Sequence, residues 1–459
     1  MSDSLEDRSS TKGSLLAVAV LALLTLADNV STNTSSFALE SEPPQTPGFW
    51  NLTTTSLILS VISDLIGQPV LMFLTYHYGH QYAVKLNILS IAIASSYSLL
   101  SLFWQIDGRA WIPAIAPVFK IIGSGSHATT FLIIIAIREK TAGSLRAALI
   151  YTTGAVIVLC QTIASSVTPF LAKQDLSIPY SLSVICCIFA GFITIVDSMA
   201  GNPAGGRDWT NNSSLRPLLS PLVANQDRLS VTPTGLITAY SNVWLNKPPM
   251  ARKSLKLLGW VFLFAAIAKA TRPLFTTYIQ HRVGITPTGA SYLWLIRTVM
   301  SLVIFSAVLP IVVILWSKNT SEEPNTINVN IAKISIFLLA LGALLIGLAQ
   351  SKPVLMSGLV INTLGVATDL ALLAFAADIV PDEISSSFFL VIAFIESAGT
   401  LIGIAVLYPL YQRFLDTNTP LGGIPYYFCA VRIYENLSPN AVLNYSRACS
   451  PLVALLFGA

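Results

Sequence analysis

Ten ionisable side chains stand inside apolar runs of this sequence: Asp28, Asp64, Lys120, His127, Asp197, Lys269, Arg272, Arg297, Asp369 and Glu396. If those runs cross a bilayer, a charge at its centre costs about 2.5–3.5 kcal/mol on insertion scales, so such groups persist where they face a watery cavity or pair with one another. Carboxylates and a histidine in that setting can carry protons, which makes Asp64, His127, Asp369 and Glu396 the candidates for proton coupling. Cations there can hold an anionic or carbonyl-rich ligand, and Lys120, Lys269, Arg272 and Arg297 are the substrate-binding candidates. Lys269 and Arg272 are three residues apart and are expected to share a helix face, where they repel unless Asp369, Glu396 or a ligand carboxylate lies near. A closed internal salt-bridge network is the competing reading for the whole set. Snorkelling from helix ends is the alternative for Asp28 and Asp197. His127 follows Gly123-Ser124-Gly125-Ser126, small residues that let helices approach closely. It serves either as a proton relay near neutral pH or as a hydrogen-bond partner to a neighbouring helix.

The elements that must position these groups follow from composition. Of 459 residues, 54% are hydrophobic and only 10% are charged. A soluble domain carries about 25% charged residues, so this chain lacks the polar surface for one. A membrane helix needs about 20 mostly apolar residues. Apolar runs of that kind lie at 14–36, 54–76, 84–104, 112–137, 147–172, 179–200, 257–279, 289–316, 334–351, 353–377 and 385–410. The reading is an all-α polytopic membrane protein with a cytoplasmic tail over 1–13, a first bundle over 14–200, a polar linker over 201–256, a second bundle over 257–431 and an irregular tail over 432–459. Fifteen loop and tail lysines and arginines fall on the side of the N-terminus and of the linker, against five on the other, which places the N-terminus in the cytoplasm.

The intramembrane charges repeat with a period of three spans. Spans 1, 4, 7 and 10 hold Asp28, Lys120, His127, Lys269, Arg272 and Asp369, while spans 2, 8 and 11 hold Asp64, Arg297 and Glu396. Spans 3, 6 and 9 hold only Asp197, so one helix of each three-helix unit is expected to line a cavity, one to flank it and one to face lipid.

Several classes of chemistry find no residues here. There is no Cys/His grouping with metal spacing, no nucleophile elbow, no HExxH helix and no Walker loop, so no metal, no cofactor, no enzyme activity and no ATP-driven pumping is expected. The net charge of +4 is too small to imply a nucleic-acid partner. The five cysteines read as small apolar residues.

Local motifs add a resemblance. Asp64-Leu-Ile-Gly67 leads into Tyr76-His77-Tyr78-Gly79-His80-Gln81 between spans 2 and 3. Phe119-Lys120-Ile-Ile-Gly123-Ser-Gly125-Ser126 joins a basic residue to a glycine-rich turn in span 4. Ala377-Asp378-Ile-Val-Pro-Asp-Glu383 pairs with Ile137-Arg138-Glu-Lys-Thr-Ala-Gly143 at an offset of 240 residues, which also superposes Gly125 on Gly365 and Thr129 on Asp369. Tyr278-Ile-Gln-His-Arg282 precedes Leu295-Ile-Arg297. With six helices, a long insert and about six more helices, these stretches resemble the major facilitator superfamily, and the last pattern resembles its fungal members. The signature loop G-x-x-x-D-R-x-G-R-R is degenerate, because only Gly79 matches and the acid and basic positions hold Tyr76, His77, His80 and Gln81. The latch those charges form in the family is therefore in doubt here.

The resemblance implies two six-helix bundles working by alternating access. It implies a monomer in the plasma membrane, with small-molecule substrate, protons and membrane lipid as partners. It further implies proton-coupled efflux of secondary metabolites or xenobiotics. Uptake of a small organic anion such as a monocarboxylate, or a non-transporting sensor, are the alternatives. A twelfth span begins at Gly422 but meets Arg432, Glu435, Asn436, Asn440, Asn444 and Arg447, so it is irregular or missing unless the last exon is mis-assigned. Asn33 and Asn51 open glycosylation sequons on the outer side of span 1.

Overall fold

The computed structural model describes residues 2–40, 52–103, 114–140, 143–200, 249–285, 287–319, 324–380, 382–414, 423–427 and 430. Among them the regular structure is helical throughout, as a chain in lipid requires, because a helix satisfies its own backbone donors and acceptors. Ten helical segments are long and apolar enough to cross a membrane, and Leu258–Lys269 is a shorter apolar helix between the sixth and seventh of them. These are the eleven apolar runs read from the sequence, with ends shifted by a few residues.

In chain order the first three helices are α1 (Ser2–Glu40), α2 (Leu52–Tyr78) and α3 (His80–Phe103). The fourth span is a 3-10 stretch, Ala116–Ile122, followed by α4 (Gly125–Lys140). Then come α5 (Gly143–Ala172), α6 (Ser177–Ala200), α7 (Pro249–Lys269), α8 (Arg272–Val283) and α9 (Pro287–Val303). A π turn at Ile304–Val308 leads into α10 (Leu309–Asn319) and α11 (Pro324–Leu348). The tenth span is α12 (Lys352–Leu364), a 3-10 turn at Gly365–Ala367 and α13 (Thr368–Ile379), and α14 (Asp382–Phe414) follows.

Three boundaries differ from the sequence reading. Helix α1 starts at Ser2, inside the expected tail. Helix α7 starts at Pro249, inside the expected linker, with a proline at the one place in a helix where a missing N–H costs nothing. The seventh span is also broken. Pro273 has no N–H to offer the Lys269 carbonyl four residues back, and α7 ends at Lys269 while α8 restarts after Ala270 and Thr271. Lys269 and Arg272 therefore belong to different helices, and the Arg272 side chain lies outside the described residues. So do residues 201–248 of the linker, the Asp197 side chain, Asn51 and the tail over 432–459. The expected twelfth span is described only at 423–427 and Ala430.

Helix α1 packs on α4, α5 and α6, while α7 packs on α14 and α11 packs on α12 and α13. The two halves meet through α2 with α14, α4 with α14, and α5 with α9 and α13. A continuous apolar core crosses between them and includes Phe131, Tyr151, Phe305, Leu373 and Phe389. Helix α6 exposes Ile185, Ile188, Phe189, Phe192, Ile195 and Val196 at helical spacing, a lipid-facing stripe of the kind expected for the sixth span.

Two features shape the interior. Ser124 and Gly125 adopt left-handed backbone angles (φ 57° and 60°), which breaks the fourth span between its 3-10 stretch and α4. For Ser124 this costs on the order of 1 kcal/mol. The tenth span is interrupted at Gly365, the position that the 240-residue offset pairs with Gly125. At Gly154 of α5 a side chain would meet the Leu370 Cδ1 methyl of α13 and force it to move, so the glycine allows a close approach to the second half.

Candidate functional site

The broken seventh span puts Lys269 at the last turn of α7, where its Nζ reaches two carboxylates. Lys269 Nζ lies 2.8 Å from Asp369 Oδ2 and 3.1 Å from Glu396 Oε1. Asp369 stands in the first turn of α13, directly after the Gly365 interruption. Glu396 comes from α14 and is almost fully buried. Its other oxygen, Oε2, lies 3.7 Å from Nδ1 of His127, which projects from α4 in the opposite half and is 43% exposed. One residue on from Glu396, Ser397 Oγ accepts a hydrogen bond of 2.8 Å from Gln68 Nε2 of α2. Four of the sequence candidates thus form one chain, His127–Glu396–Lys269–Asp369, that runs from the first half into the second.

Beside that chain lies a small, partly open cavity. Its polar wall carries Lys269, Arg297, Asp369, Thr368 and Asn362, and its apolar wall includes Phe275, Ile336, Leu339 and Ile346. All of its lining residues belong to the second half. Arg297 lies over the Trp294 ring at 5.0 Å from the centroid, and Trp294 in turn meets Phe275 edge-on at 5.6 Å. Stacking of this kind steadies a guanidinium by its face.

Lys120 and Asp64 lie elsewhere and are not among the residues that line this cavity. Lys120 sits in the 3-10 stretch of the fourth span, is buried, and forms an ion pair with Asp28 of α1. Asp28 is therefore an internal partner and not a residue that snorkels. The Asp64 carboxylate interacts electrostatically with both, and its Oδ1 is buried without a hydrogen bond. The left-handed Gly125 sits against Asp64 Oδ1, Lys120 Cδ and Asp28 Oδ2, so a side chain there would push into the group. The first half holds a buried Asp28–Lys120 ion pair with the Asp64 carboxylate in its field, while the second half holds charges around a cavity.

At the end of the molecule expected to be cytoplasmic, the halves are joined by arginines acting on backbone. Arg138 of α4 is buried and donates to the Val380 carbonyl, and Arg146 of α5 donates to the Ala377 carbonyl at 3.1 Å. Those carbonyls lie at the C-terminal end of α13, where a helix leaves acceptors unpaired and carries partial negative charge. Tyr151 Oη adds a 2.9 Å bond to Asn328 Oδ1. These contacts, with Gln68–Ser397, join the two halves at positions that the sequence reading did not single out. Gln68 alone carried a signal, an amide in an apolar span four residues after Asp64.

Asn33 does not have the setting of a glycosylated residue. It lies within α1, and Thr34 and Ser35 of its sequon are buried, with Ser35 Oγ at 2.9 Å from Tyr180 Oη. An acceptor sequon belongs on a surface loop.

No protein-family sequence profile and no curated protein sequence matches this chain. Solved structures do. The human organic anion transporter MFSD10 (TETRAN) aligns with a TM-score of 0.68 at 15% identity, over 93% of this chain and 98% of that one. The major facilitator superfamily proton:xylose symporter XylE aligns at 0.66 with 14% identity, covering 95% of both chains. A bacterial homologue of the iron transporter ferroportin, in an outward-facing state, aligns at 0.64 with 11% identity over 95% of this chain and 99% of that one. The chain has the major facilitator fold and is a multi-pass integral membrane protein.

Proposed function

We propose that this protein is a proton-coupled secondary transporter of small organic molecules working by alternating access, with export as its direction. The observation that carries the reading is the His127–Glu396–Lys269–Asp369 chain, which spans the two halves and borders the cavity. One ammonium between two carboxylates leaves a net charge of −1 when His127 is neutral, and one added proton brings the group to zero. Loading that proton frees one of the two carboxylates from Lys269 and changes what the cavity wall attracts. The Glu396–His127 contact links the loaded state to the packing of the halves, which is where alternating access must act. MFSD10 is an organic anion transporter and XylE a proton:xylose symporter, which supports this class of activity.

Import of a small organic anion is a second reading, favoured by the presence of both Lys269 and Arg297 on the cavity wall. The test is flux in proteoliposomes under an imposed pH gradient, screened over organic acids, amines and neutral ring compounds. Gradient-driven movement of at least one class, lost in Lys269→Ala, supports the reading. Correctly inserted protein that moves none of them would make it a non-transporting relative.

A further inference from the structure

Helix α5 carries two exposed faces of opposite character. Leu159, Ile163 and Phe170 share one of them, an exposed apolar stripe suited to lipid. Thr152, exposed on the same side, turns its hydroxyl back onto the Ala148 carbonyl at 2.8 Å. Gly154, Gln161 and Ser165 share the opposite face, because seven and then four residues bring a helix back to the same side. Gly154 stands against Leu370 of the second half, while Gln161 and Ser165 are exposed. We propose that Gln161 and Ser165 form the first-half wall of a solute path that is closed at the Arg138 and Arg146 end and open at the other, and that they hydrogen-bond an uncharged hydroxyl or carbonyl of the solute. This rests on the transporter reading and names the part of the solute that the first half reads.

Depth makes the polar face informative. Arg146 is the first residue of the span, and Gln161 lies about 22 Å further along the helix. The hydrocarbon core is about 30 Å thick. An amide without a partner is costly inside it, and no hydrogen bond joins the Gln161 or Ser165 side chain to another described residue. Water therefore has to reach this face. It does not come from the cytoplasmic end. There Tyr151 bonds Asn328 at 2.9 Å, Arg138 and Arg146 hold the Val380 and Ala377 carbonyls, and the apolar core of Phe131, Phe305, Leu373 and Phe389 crosses between the halves. The opening lies at the other end. His127 of α4 is 43% exposed and touches Glu396 of the second half, which puts water between the halves at the coupling chain. The chemistry of the wall fixes the class of solute group. An amide and a hydroxyl each donate and accept, and neither carries charge. The lysine of the first half that lies nearest in kind, Lys120, is buried against Asp28. A hydroxyl or carbonyl pairs with this wall and leaves no charge unmatched, whereas a bare hydrocarbon strips water from the amide and returns no bond.

The experiment labels cysteine variants of the full chain in intact cells with a membrane-impermeant maleimide, each set against the parent protein. Gln161→Cys and Ser165→Cys are expected to react at least about tenfold faster than Ile163→Cys, because a thiol reacts as its thiolate, which forms in water and not in lipid. Equal rates at Gln161→Cys and Ile163→Cys, or no reaction at Gln161→Cys and Ser165→Cys, would overturn the open path. The Ser165→Cys protein then serves as reporter for two neutral probes with one ring body, 2-naphthalenemethanol and 2-methylnaphthalene. The alcohol is expected to slow labelling at about three- to tenfold lower concentration than the hydrocarbon, the range for one neutral hydrogen bond. Adding Gln161→Leu to the reporter is expected to erase that difference, and Gln161→Asn to restore part of it. Equal protection by both probes, protection by neither, or a difference that survives Gln161→Leu would overturn the recognition role. If these results fail while a pH gradient still drives a solute, this proposal falls and the transporter reading stands. If nothing moves in the flux screen, the transporter reading falls and the solute role falls with it, whatever the labelling shows.

Discussion

Lys120→Met unbalances the buried cluster of the first half, and the structure says by how much. Lys120 and Asp28 have side chains only 8% and 11% exposed, and the Asp64 carboxylate acts on both. Removing the single ammonium leaves two carboxylates in apolar surroundings. Breaking a buried pair from one side costs about 3–5 kcal/mol, a large part of a total stability of about 5–15 kcal/mol. Asp28→Asn is milder, about 1–3 kcal/mol, because Asp64 remains to balance Lys120 and the amide keeps one hydrogen bond. The double variant Asp28→Leu with Lys120→Met removes both charges and is expected to cost less than the sum of Asp28→Leu and Lys120→Met alone, with a coupling of about 2 kcal/mol. Denaturant unfolding of the four proteins in one detergent measures all of this. A Lys120→Met variant within about 1 kcal/mol of the parent, or strictly additive costs, would refute the buried-pair account and return Lys120 to the list of ligand-binding cations.

Three further outcomes are expected. Gly154→Leu places a side chain against Leu370 and Phe305 of the opposite half, so flux should fall at least about tenfold while the protein stays monodisperse; unchanged flux would mean that the halves do not meet there during transport. The Asp175 carboxylate accepts the Ser177 N–H at 2.8 Å, which holds its carboxyl below the ordinary range. Its folded value lies below an unfolded value of about 3.9, so its small contribution is complete above that pH and is lost as pH falls through the folded value. Asp175→Ala should therefore lower the melting temperature at pH 6 and leave it unchanged near pH 2, and an equal loss at both would contradict this reading. Asn33→Gln should leave the apparent mass unchanged after expression in a eukaryotic host, whereas a downward shift would show that Asn33 is glycosylated.

The spans were legible because about 20 apolar residues in a row have few other uses, and the intramembrane charges were legible because lipid makes them costly. The sequence therefore pointed to Lys269, Asp369, Glu396 and His127, which the structure joins in one chain. It could not show that Pro273 would break the seventh span and put Lys269 and Arg272 on different helices, since a proline at that spacing can either kink a helix or start a new one. Nor could it assign Lys120, because the spacing of residues along the chain does not say which acid of another span faces it, and the structure pairs it with Asp28 of α1. The Arg138 and Arg146 contacts were invisible for a different reason. Their acceptors are the backbone carbonyls of Val380 and Ala377, which every residue has. They also supply a charge-assisted closure where the degenerate signature loop left one in doubt.

The central claim is that a proton on the Lys269–Asp369–Glu396 group drives solute movement. The direct measurement is solute accumulation in proteoliposomes of the Glu396→Gln variant under an imposed pH gradient, set beside solute exchange at equal pH. The account predicts that gradient-driven accumulation is lost while exchange continues, because the amide cannot give up a proton yet still fits beside Lys269. Full accumulation by Glu396→Gln, repeated in Asp369→Asn and in the double variant, would place the coupling proton outside this group and contradict the account.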